Sequence, residues 1–353
     1  MQSPAAQSPA AQPTAPQSPA AQSLRIGVLL LPNFNIMATT AFVDPFRAAN
    51  YLADDRLYEW QFLTVDTVDV TASNGMVMGD LTAIDHAQDA FDIVVVSASW
   101  GPENFQAPAL LGWLRMQARR GAVMGGIDTG AFVLGYAGLL RGDRASVHFE
   151  HATALTETFA DIQPDQGLFV HDARHFTCCG GAAAGDLALS MVRGQHGPDL
   201  ANAAARYVFH DRIRSGHESQ QDNRHAPDGH TKPAPLAAAI TEMEANLEMP
   251  LAVGLLARRT GVSQRQLERL FKAHMGMSPI QYYLDLRLAN AHRLITQTDM
   301  RMLDVAVANG FSSQEHFSRA YKGKFGVAPS IGRRVGRVPF QFREEVRETV
   351  AGS

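Results

Sequence analysis

The amino-acid sequence predicts two folded parts of different class, an α/β fold in the N-terminal half and an all-α fold near the C-terminus. Two observations carry this prediction. Apolar segments of strand length alternate with amphipathic helical segments up to about residue 195, whereas residues 236–335 contain two copies of one pattern of helices joined by glycine turns. The length of 353 residues is also sufficient for two domains, each with its own core.

The N-terminal half alternates strands with helices. Residues 24–31 form a continuous apolar run that ends at Pro32, which is typical of a strand buried on both faces of a parallel sheet. The alternation predicts an open, flavodoxin-like, mostly parallel sheet with helices on both faces, which would bind ligands at the carboxyl ends of its strands. Further strands are expected over 59–65, 91–97, 122–127, 169–170 and 176–178, and helices over 40–52, 107–120, 130–140 and 182–192.

Composition excludes several classes of protein. No apolar run approaches the ~18 residues of a membrane span, and residues 1–22 are an Ala/Gln/Ser/Pro tract without the basic and apolar regions of a signal peptide. We therefore expect a disordered tail there, no membrane partner and a cytoplasmic location. Because Cys178 and Cys179 are adjacent, a disulfide framework is not expected, and both are interpreted as small core residues.

A polar segment over residues 215–235, rich in Gly, Pro, His, Gln and Asp, marks the predicted domain boundary. Its histidines, at 217, 225 and 230, lack the spacing of a standard metal site, so we expect a tether, with no metal and no cofactor. The predicted organisation is a tail over 1–22, an α/β domain over 23–214, a linker over 215–235, a helical domain over 236–335 and a second tail over 336–353.

Charge is distributed unevenly along the chain, whose net charge is −4. Residues 1–229 carry 14 arginines and no lysine against 24 acidic residues, a net charge of −10. Residues 230–353 carry 17 basic and 11 acidic residues, a net charge of +6. Such asymmetry points to a nucleic-acid or membrane partner for the basic part.

Residues 122–134 are the most informative N-terminal stretch, because a strand leads there through a sharp turn at Asp128 directly into a helix. In hydrolases this geometry presents a nucleophile beside the amides of a helix N-terminus. With the first strand and its helix, the segment resembles the PfpI-type, class I glutamine-amidotransferase-like superfamily over about residues 24–195. The resemblance implies a cysteine at the turn, a histidine shortly downstream and an acid on the first helix. Those positions hold Asp128, His148 and Asp44.

Aspartate in place of the cysteine removes the thiolate on which the covalent chemistry of that superfamily depends. We therefore predict a pocket that senses a ligand, and not an enzyme. Carboxylates beside aromatic rings suit a small cationic amine, especially a quaternary ammonium group. Simpler roles stay open, since these side chains can also cap a helix, pack or remain solvated. The predicted ligand-binding residues are Asp44, Trp100, Asp128, His148, Phe149 and Glu150.

Two segments near the C-terminus match each other. Residues 257–263 (ARRTGVS) align with residues 306–312 (AVANGFS) at an offset of 49, and after a one-residue slip the match continues at an offset of 50. Each copy predicts a helix, a turn at Gly261 or Gly310, and a second helix. Such a helix-turn-helix places its second helix in the major groove of DNA.

Each second helix is predicted to begin at a serine, because Ser263 with Gln266 and Ser312 with Glu315 have the spacing of capping boxes. Two such units, joined by a helix over residues 279–296, resemble the AraC/XylS-type DNA-binding domain. That resemblance covers about residues 236–335 and implies two readers that reach successive major grooves.

The outer faces of the two second helices carry polar and basic side chains suited to phosphates and base edges. Arg265 and Gln266 are the better candidates for base contacts, although a merely solvated helix face stays open for each side chain. The predicted DNA-binding residues are Ser263, Gln264, Arg265, Gln266, Arg269, Lys272, Ser313, Gln314, His316, Arg319 and Lys322.

A PfpI-type part followed by an AraC-type part resembles the GlxA-type regulators, and the sequence GIDTG at residues 126–130 resembles regulators of betaine, carnitine and arginine catabolism. The resemblance implies a homodimeric transcriptional activator that responds to a small cationic metabolite and binds double-stranded DNA, with RNA polymerase as a further partner. Two alternatives stay open. One is an amidase or hydrolase with an appended DNA-binding domain, and the other is a constitutive DNA binder whose N-terminal part only dimerises.

Overall fold

A computed structural model of the chain describes residues 23–66, 68–87, 90–220 and 233–336. The predicted tail over residues 1–22, residues 221–232 of the predicted linker and the stretch after residue 336 lie outside these ranges. Among the described helices, none combines the length and the apolar character needed to cross a membrane. The domain boundaries remain predictions.

The α/β part contains one large sheet and two small strand pairs. Its strands are β1 (Leu24–Leu30), β2 (Tyr58–Thr64), β3 (Val70–Thr71), β4 (Val77–Met78), β5 (Thr82–Ala83), β6 (Ile93–Ala98), β7 (Val123–Asp128), β8 (Arg144–Ser146), β9 (Gln163–Asp165), β10 (Phe169–His171) and β11 (His175–Cys178). The large sheet has the order β10-β11-β7-β6-β1-β2-β5, and every neighbouring pair is parallel except β10 with β11. The small pairs are β3 with β4 and β8 with β9. The predicted mostly parallel sheet is confirmed.

Helices cover both faces of this sheet, as predicted. Those of the α/β part are α1 (Ile36–Ala53), α2 (Pro108–Arg119), α3 (Gly130–Tyr136), α4 (Ala152–Thr158), α5 (Ala183–His196) and α6 (Pro198–Tyr207), with short 3-10 turns at Pro102–Asn104 and Phe149–His151. Alternate residues of β1 point to opposite faces. Val28 and Leu30 join the core that contains Phe42 of α1, whereas Leu29 joins the core that contains Phe132 of α3.

Helix α1 begins at Ile36, four residues earlier than predicted, because Asn35 caps it. Oδ1 of Asn35 accepts a hydrogen bond from the amide of Ala38 at 3.2 Å, which satisfies one of the free donors of the first turn. The cap fixes Asn35 at the carboxyl end of β1, on the edge of the sheet where ligands bind.

The helical part consists of two similar units joined by one long helix. Its helices are α7 (Ala234–Glu244), α8 (Val253–Arg259), α9 (Gln264–Met275), α10 (Pro279–Gln297), α11 (Met302–Ala308), α12 (Gln314–Phe325) and α13 (Pro329–Gly336). Phe271 of α9 and Tyr283 of α10 belong to the first core, whereas Leu294 of α10 and Phe317 of α12 belong to the second. Because α10 contributes to both cores, it fixes the two units relative to each other. The predicted central helix is confirmed, with one additional residue.

Both helix-turn-helix units form, with one difference in register. The glycine of each turn has a left-handed φ, 71° in the first unit and 66° in the second. Ser263 caps α9 as predicted. In the second unit the expected cap, Ser312, is wrong. The capping residue is Ser313, whose Oγ accepts a hydrogen bond from the amide of His316 at 3.2 Å. The second turn is one residue longer, which accounts for the slip between the two copies.

The turn at Asp128 is a left-handed elbow between β7 and α3. Asp128 has a φ of +61°, a region that residues other than glycine seldom adopt. Helix α3 approaches the sheet so closely that both flanking glycines are required. A Cβ at Gly126 would lie 2.7 Å from the amide nitrogen of Ala131, and a Cβ at Gly130 would overlap the carbonyl oxygen of Val96. The elbow therefore presents Asp128 at the carboxyl edge of the sheet.

Replacing Gly130 by alanine is expected to destabilise the protein by about 3 kcal/mol, because the added methyl group meets a backbone carbonyl that cannot rotate away. Gly194 of α5 is the matched control, since a Cβ there meets no atom within 4 Å. Gly194→Ala should be neutral or stabilising by about 0.5–1 kcal/mol. Urea denaturation measures both changes, and equal effects of the two substitutions would contradict the close approach of α3.

Candidate ligand site and DNA interface

Asp128 lies buried at the edge where the parallel strands end, and the residue is only 4% exposed. Its Oδ2 accepts two hydrogen bonds, both at 3.1 Å. One comes from Nδ2 of Asn35, which follows β1, and the other from Oγ of Ser99, which follows β6. Among the residues that the structure describes, no arginine or lysine pairs with this carboxylate.

The electrostatic surroundings of Asp128 disfavour its charged form. Burial raises the pKa of Asp128, and the hydrogen bonds from Asn35 and Ser99 and the nearby His148 counteract only part of that shift. Glu150 raises the pKa further as a second negative charge. A positively charged ligand beside Asp128 would compensate this buried carboxylate.

The predicted residues after β8 lie together at a 3-10 turn, and two of them, His148 and Glu150, act electrostatically on Asp128. Nδ1 of His148 accepts a hydrogen bond from the amide of Glu150 at 3.4 Å and so begins the 3-10 turn. The imidazole stacks on Phe149 with ring centroids 4.5 Å apart, and Phe149 remains 37% exposed. Trp100, which is half-buried, directly follows Ser99. The site therefore offers carboxylates together with a partly open aromatic ring.

Asp44 does not join this group. Its carboxylate accepts a hydrogen bond from Nε of Arg47 at 2.8 Å on the exposed side of α1. Asp44 lies nine residues after Asn35, which is about 13 Å along a helix. The residue near the first helix that contacts Asp128 is thus Asn35, which caps α1, whereas the predicted Asp44 lies farther along the helix on its exposed side.

Sequence reasoning also missed Ser99. A polar residue follows shortly after each of two apolar strands, β1 and β6. Such positions share the carboxyl edge of a parallel sheet, so this pattern could have identified both residues. Asn35 and Ser99 both satisfy that rule. Neither belongs to a catalytic motif, so motifs alone do not identify them.

The two cysteines are buried, as predicted. Cys178 ends β11 in register with Ile127 of β7, one residue before Asp128. Burial raises the pKa of the Cys178 thiol well above its usual range, and its hydrogen bond with Cys179 and the nearby Asp128 add to that shift. A thiol that stays protonated is a poor nucleophile, so Cys178 does not replace the missing cysteine of the elbow.

The second helices of the two units, α9 and α12, expose the faces predicted to reach DNA. Leu267 and Phe317 are fully buried on the inner faces. Arg265, in the first turn of α9, makes no hydrogen bond or ion pair with another described residue. Each of the predicted residues is exposed, namely Ser263, Gln264, Arg265, Gln266, Arg269, Lys272, Ser313, Gln314, His316, Arg319 and Lys322.

Some of these exposed residues also have local structural roles. The hydroxyl oxygens of Ser263 and Ser313 cap their helices. Nζ of Lys272 donates to the carbonyl oxygen of Gly276 at 3.1 Å, close to the end of α9. The sequence alone does not separate these roles from DNA contact.

The helical part contains two helix-turn-helix units with exposed second helices, joined by one long central helix. This arrangement is that of a DNA-binding regulator. A family model described as a helix-turn-helix domain matches residues 256–335. The HTH-type transcriptional regulator CdhR of Pseudomonas aeruginosa is 40% identical over 307 residues, which cover 87% of this chain and 90% of that protein. The HTH-type transcriptional regulator GlxA of Rhizobium meliloti is 35% identical over 313 residues, which cover 88% and 96%. The chain belongs to this family of AraC-type transcriptional regulators.

The α/β part has its own structural relative. The crystal structure of a ThiJ/PfpI family protein from Pseudomonas syringae matches with a TM-score of 0.50 at 19% identity, over 65% of this chain and 89% of that one. This likeness shows the fold, as the resemblance implied. The names of CdhR and GlxA confirm the prediction of a transcriptional regulator instead of an enzyme.

Arg265→Ala is expected to weaken binding to the cognate operator by roughly 1–3 kcal/mol and to relax the preference at one base pair, because a free guanidinium at the start of α9 suits a base edge. Titration of labelled duplexes that differ at single base pairs measures both effects. Arg56→Ala, on the exposed surface of the α/β part, makes the same charge change and should leave affinity unaltered. Equal behaviour of the two variants would exclude Arg265 as a reader.

Asp128→Asn is expected to make the protein more stable at neutral pH, by on the order of 1 kcal/mol. The raised pKa means that the folded state holds the proton more tightly than the unfolded chain does. The buried carboxyl group therefore lowers stability only as the pH rises above about 4, where the unfolded chain begins to release this proton. Thermal unfolding between pH 4 and 8 should show that Asp128→Asn is more stable than the wild type at neutral pH but not at pH 4. A variant less stable than the wild type at pH 7 would contradict the electrostatic description.

Proposed function

We propose that this AraC-type regulator is a transcriptional activator controlled by a small cationic metabolite, a quaternary amine or an amino acid, that binds beside Asp128. The single observation that supports the ligand class best is the buried Asp128 carboxylate, which has two hydrogen-bond donors but no cationic partner among the described residues. A buried charge without compensation is costly, and a bound cation offsets that cost.

The side chains around Asp128 suit such a ligand chemically. Phe149 and Trp100 offer aromatic faces to an ammonium group, and Glu150 adds a second carboxylate. His148 stacks on Phe149 and keeps that ring in place. The proposal leaves Asp44 out of the ligand site and adds Asn35 and Ser99, which orient the Asp128 carboxylate.

On DNA, we propose that the two units bind successive major grooves on one face of the duplex. Helix α10 has 19 residues, a length of about 28 Å, and the grooves are about 34 Å apart. A homodimer would bring a second pair of readers to the operator, and RNA polymerase would be the partner of the activator. Family membership supports both of these partners.

The ligand proposal is tested by thermal unfolding of the full chain with glycine betaine, carnitine, choline and arginine. A ligand present at 100 times its dissociation constant should stabilise the wild-type protein by about 2.7 kcal/mol. Asp128→Asn should abolish that stabilisation, because the buried negative charge is lost.

Asp44→Asn is the matched control for this experiment. It removes the same charge from an exposed site on the same part of the protein. It should leave the response to the amine intact. Equal loss of the response in both variants would point to a general charge effect, and stabilisation that survives in Asp128→Asn would place the ligand elsewhere.

A further inference from the structure

A partly open cavity of about 400 Å³ lies beside the edge strand β10, between α5 and the segment over residues 213–217 that follows α6. Arg144, Arg193 and Arg214 line this cavity, and Asp165 is the one carboxylate among its lining residues. Residues 1–229 carry 14 arginines and no lysine, with a net charge of −10. Three of those cations therefore converge on one cavity of an acidic part of the chain, and the cavity has the volume of a small-molecule site.

Arg214 is held at the wall of the cavity by a buried carboxylate. Asp186 of α5 is fully buried, and its side chain accepts hydrogen bonds from the amide of Arg214 at 2.6 Å and from Nε of Arg214 at 2.8 Å. The same carboxylate contacts Nε2 of His210 at 2.8 Å. Asp186 engages the Nε and Nη2 atoms of Arg214, and no acceptor for Nη1 is found among the described residues.

Helix α5 contributes two further polar side chains to the wall. Arg193, in the last turn of the helix, is exposed and makes no hydrogen bond or ion pair with another described residue. Ser190 lies three residues earlier, on the same side of the helix, and its hydroxyl likewise has no partner within the described part of the chain. Both groups can therefore bind a ligand without breaking an existing hydrogen bond.

The carboxylate of the wall is already neutralised, because Asp165 is only 7% exposed and forms an ion pair with Arg144. Arg214 is likewise paired with Asp186, so Arg193 leaves these arginines and carboxylates with one positive charge in excess. Excess positive charge together with free hydrogen-bond donors favours an anion. The cavity therefore suits a ligand of opposite charge to the cationic metabolite proposed above.

His171 also lines the cavity and extends its set of donors without adding charge. Burial lowers the pKa of this imidazole, which is therefore neutral at physiological pH and can donate one hydrogen bond. A guanidinium group presents several N–H donors in one plane and binds carboxylate or phosphate oxygens in pairs. The chemistry of the wall thus suits the oxyanion group of a small organic acid or phosphorylated compound.

We propose that this cavity is an anion-binding site in which Arg193, Arg214 and Ser190 hold the oxyanion group of a small metabolite. The site is separate from the one at Asp128, and the proposal does not depend on the cationic effector. A bound anion would contact both α5 and the segment over residues 213–217, and would join them directly. That segment continues in sequence toward the helical part, so occupancy of the site should make the chain more rigid there.

Thermal unfolding of the full chain with inorganic phosphate and with citrate tests the site. Sodium chloride at the same ionic strength is the reference, because screening alone also alters stability. At least one of the two anions should raise the unfolding temperature of the wild type above that in chloride. Phosphate alone would indicate a phosphorylated ligand and citrate alone an organic acid, whereas a response to neither would overturn the proposal.

Variants of Arg193 locate the bound anion, and they should fold because this side chain is exposed and unpaired. Arg193→Gln should weaken binding of the anion about ten-fold, since charge-assisted hydrogen bonds are lost. Arg193→Lys keeps the charge but not the planar fork, and should fall between Arg193→Gln and the wild type. The matched control is Arg206→Gln, an exposed arginine in the last turn of α6 that does not line the cavity. Equal affinities of Arg193→Gln and Arg206→Gln would overturn the site.

Hydrogen exchange distinguishes this cavity from the basic DNA interface as the place where the anion binds. In the wild type, the anion should slow exchange about three-fold in a peptide that covers residues 210–220, and it should not do so in Arg193→Gln. Slower exchange confined to α9 and α12 would place the anion on the DNA interface and overturn the proposal. Asp128→Asn should keep the response to the anion, so the cationic effector proposal can fail while this one holds.

Discussion

The close approach of α3 to the sheet at Asp128 is the constraint on which the rest of the site depends. Because Gly126 and Gly130 lack a Cβ, the helix begins within two residues of the end of β7. The Asp128 carboxylate is thereby held at the strand ends, where the residues after β1 and β6 donate to it. The same helix carries Phe132 against the ring of His151, which precedes the α4 residues in contact with α10. The hydrogen-bonded Asp128 carboxylate and the contact with the helical part thus share one support.

The sequence was sufficient for the long elements and for the class of fold. Apolar runs identified the central strands, and the internal repeat identified both helix-turn-helix units. Strands of two or three residues, such as β3 and β8, carry no alternation that could reveal them. Asn35 was missed because it caps a helix that begins four residues before its predicted start. The cap of α12 was misplaced because the sequence does not show at which position the longer second turn gains its extra residue.

Contacts between the two parts could not be predicted at all. Thr153 and Asn290 are separated by 137 positions, and neither belongs to a motif. Arg293 would be interpreted from the sequence as an ordinary charge on a helix. The fold half-buries it, and burial lowers the pKa of its guanidinium while Glu150 and Glu244 counteract that shift. The contacts between the α/β part and the helical part therefore depend on tertiary packing, which local patterns do not encode.

The difference between Thr260 and Asn309 has a consequence for how such a regulator can diversify. The first turn is closed by hydrogen bonds from Thr260 within its own helix, so a substitution there leaves the hydrogen bonds of α10 in place. The second turn shares its hydrogen bonds with α10, and any change there also alters the link to the α/β part. The two copies of the repeat are therefore under different constraints, because the second turn exchanges hydrogen bonds with α10 whereas those of the Thr260 hydroxyl stay within α8.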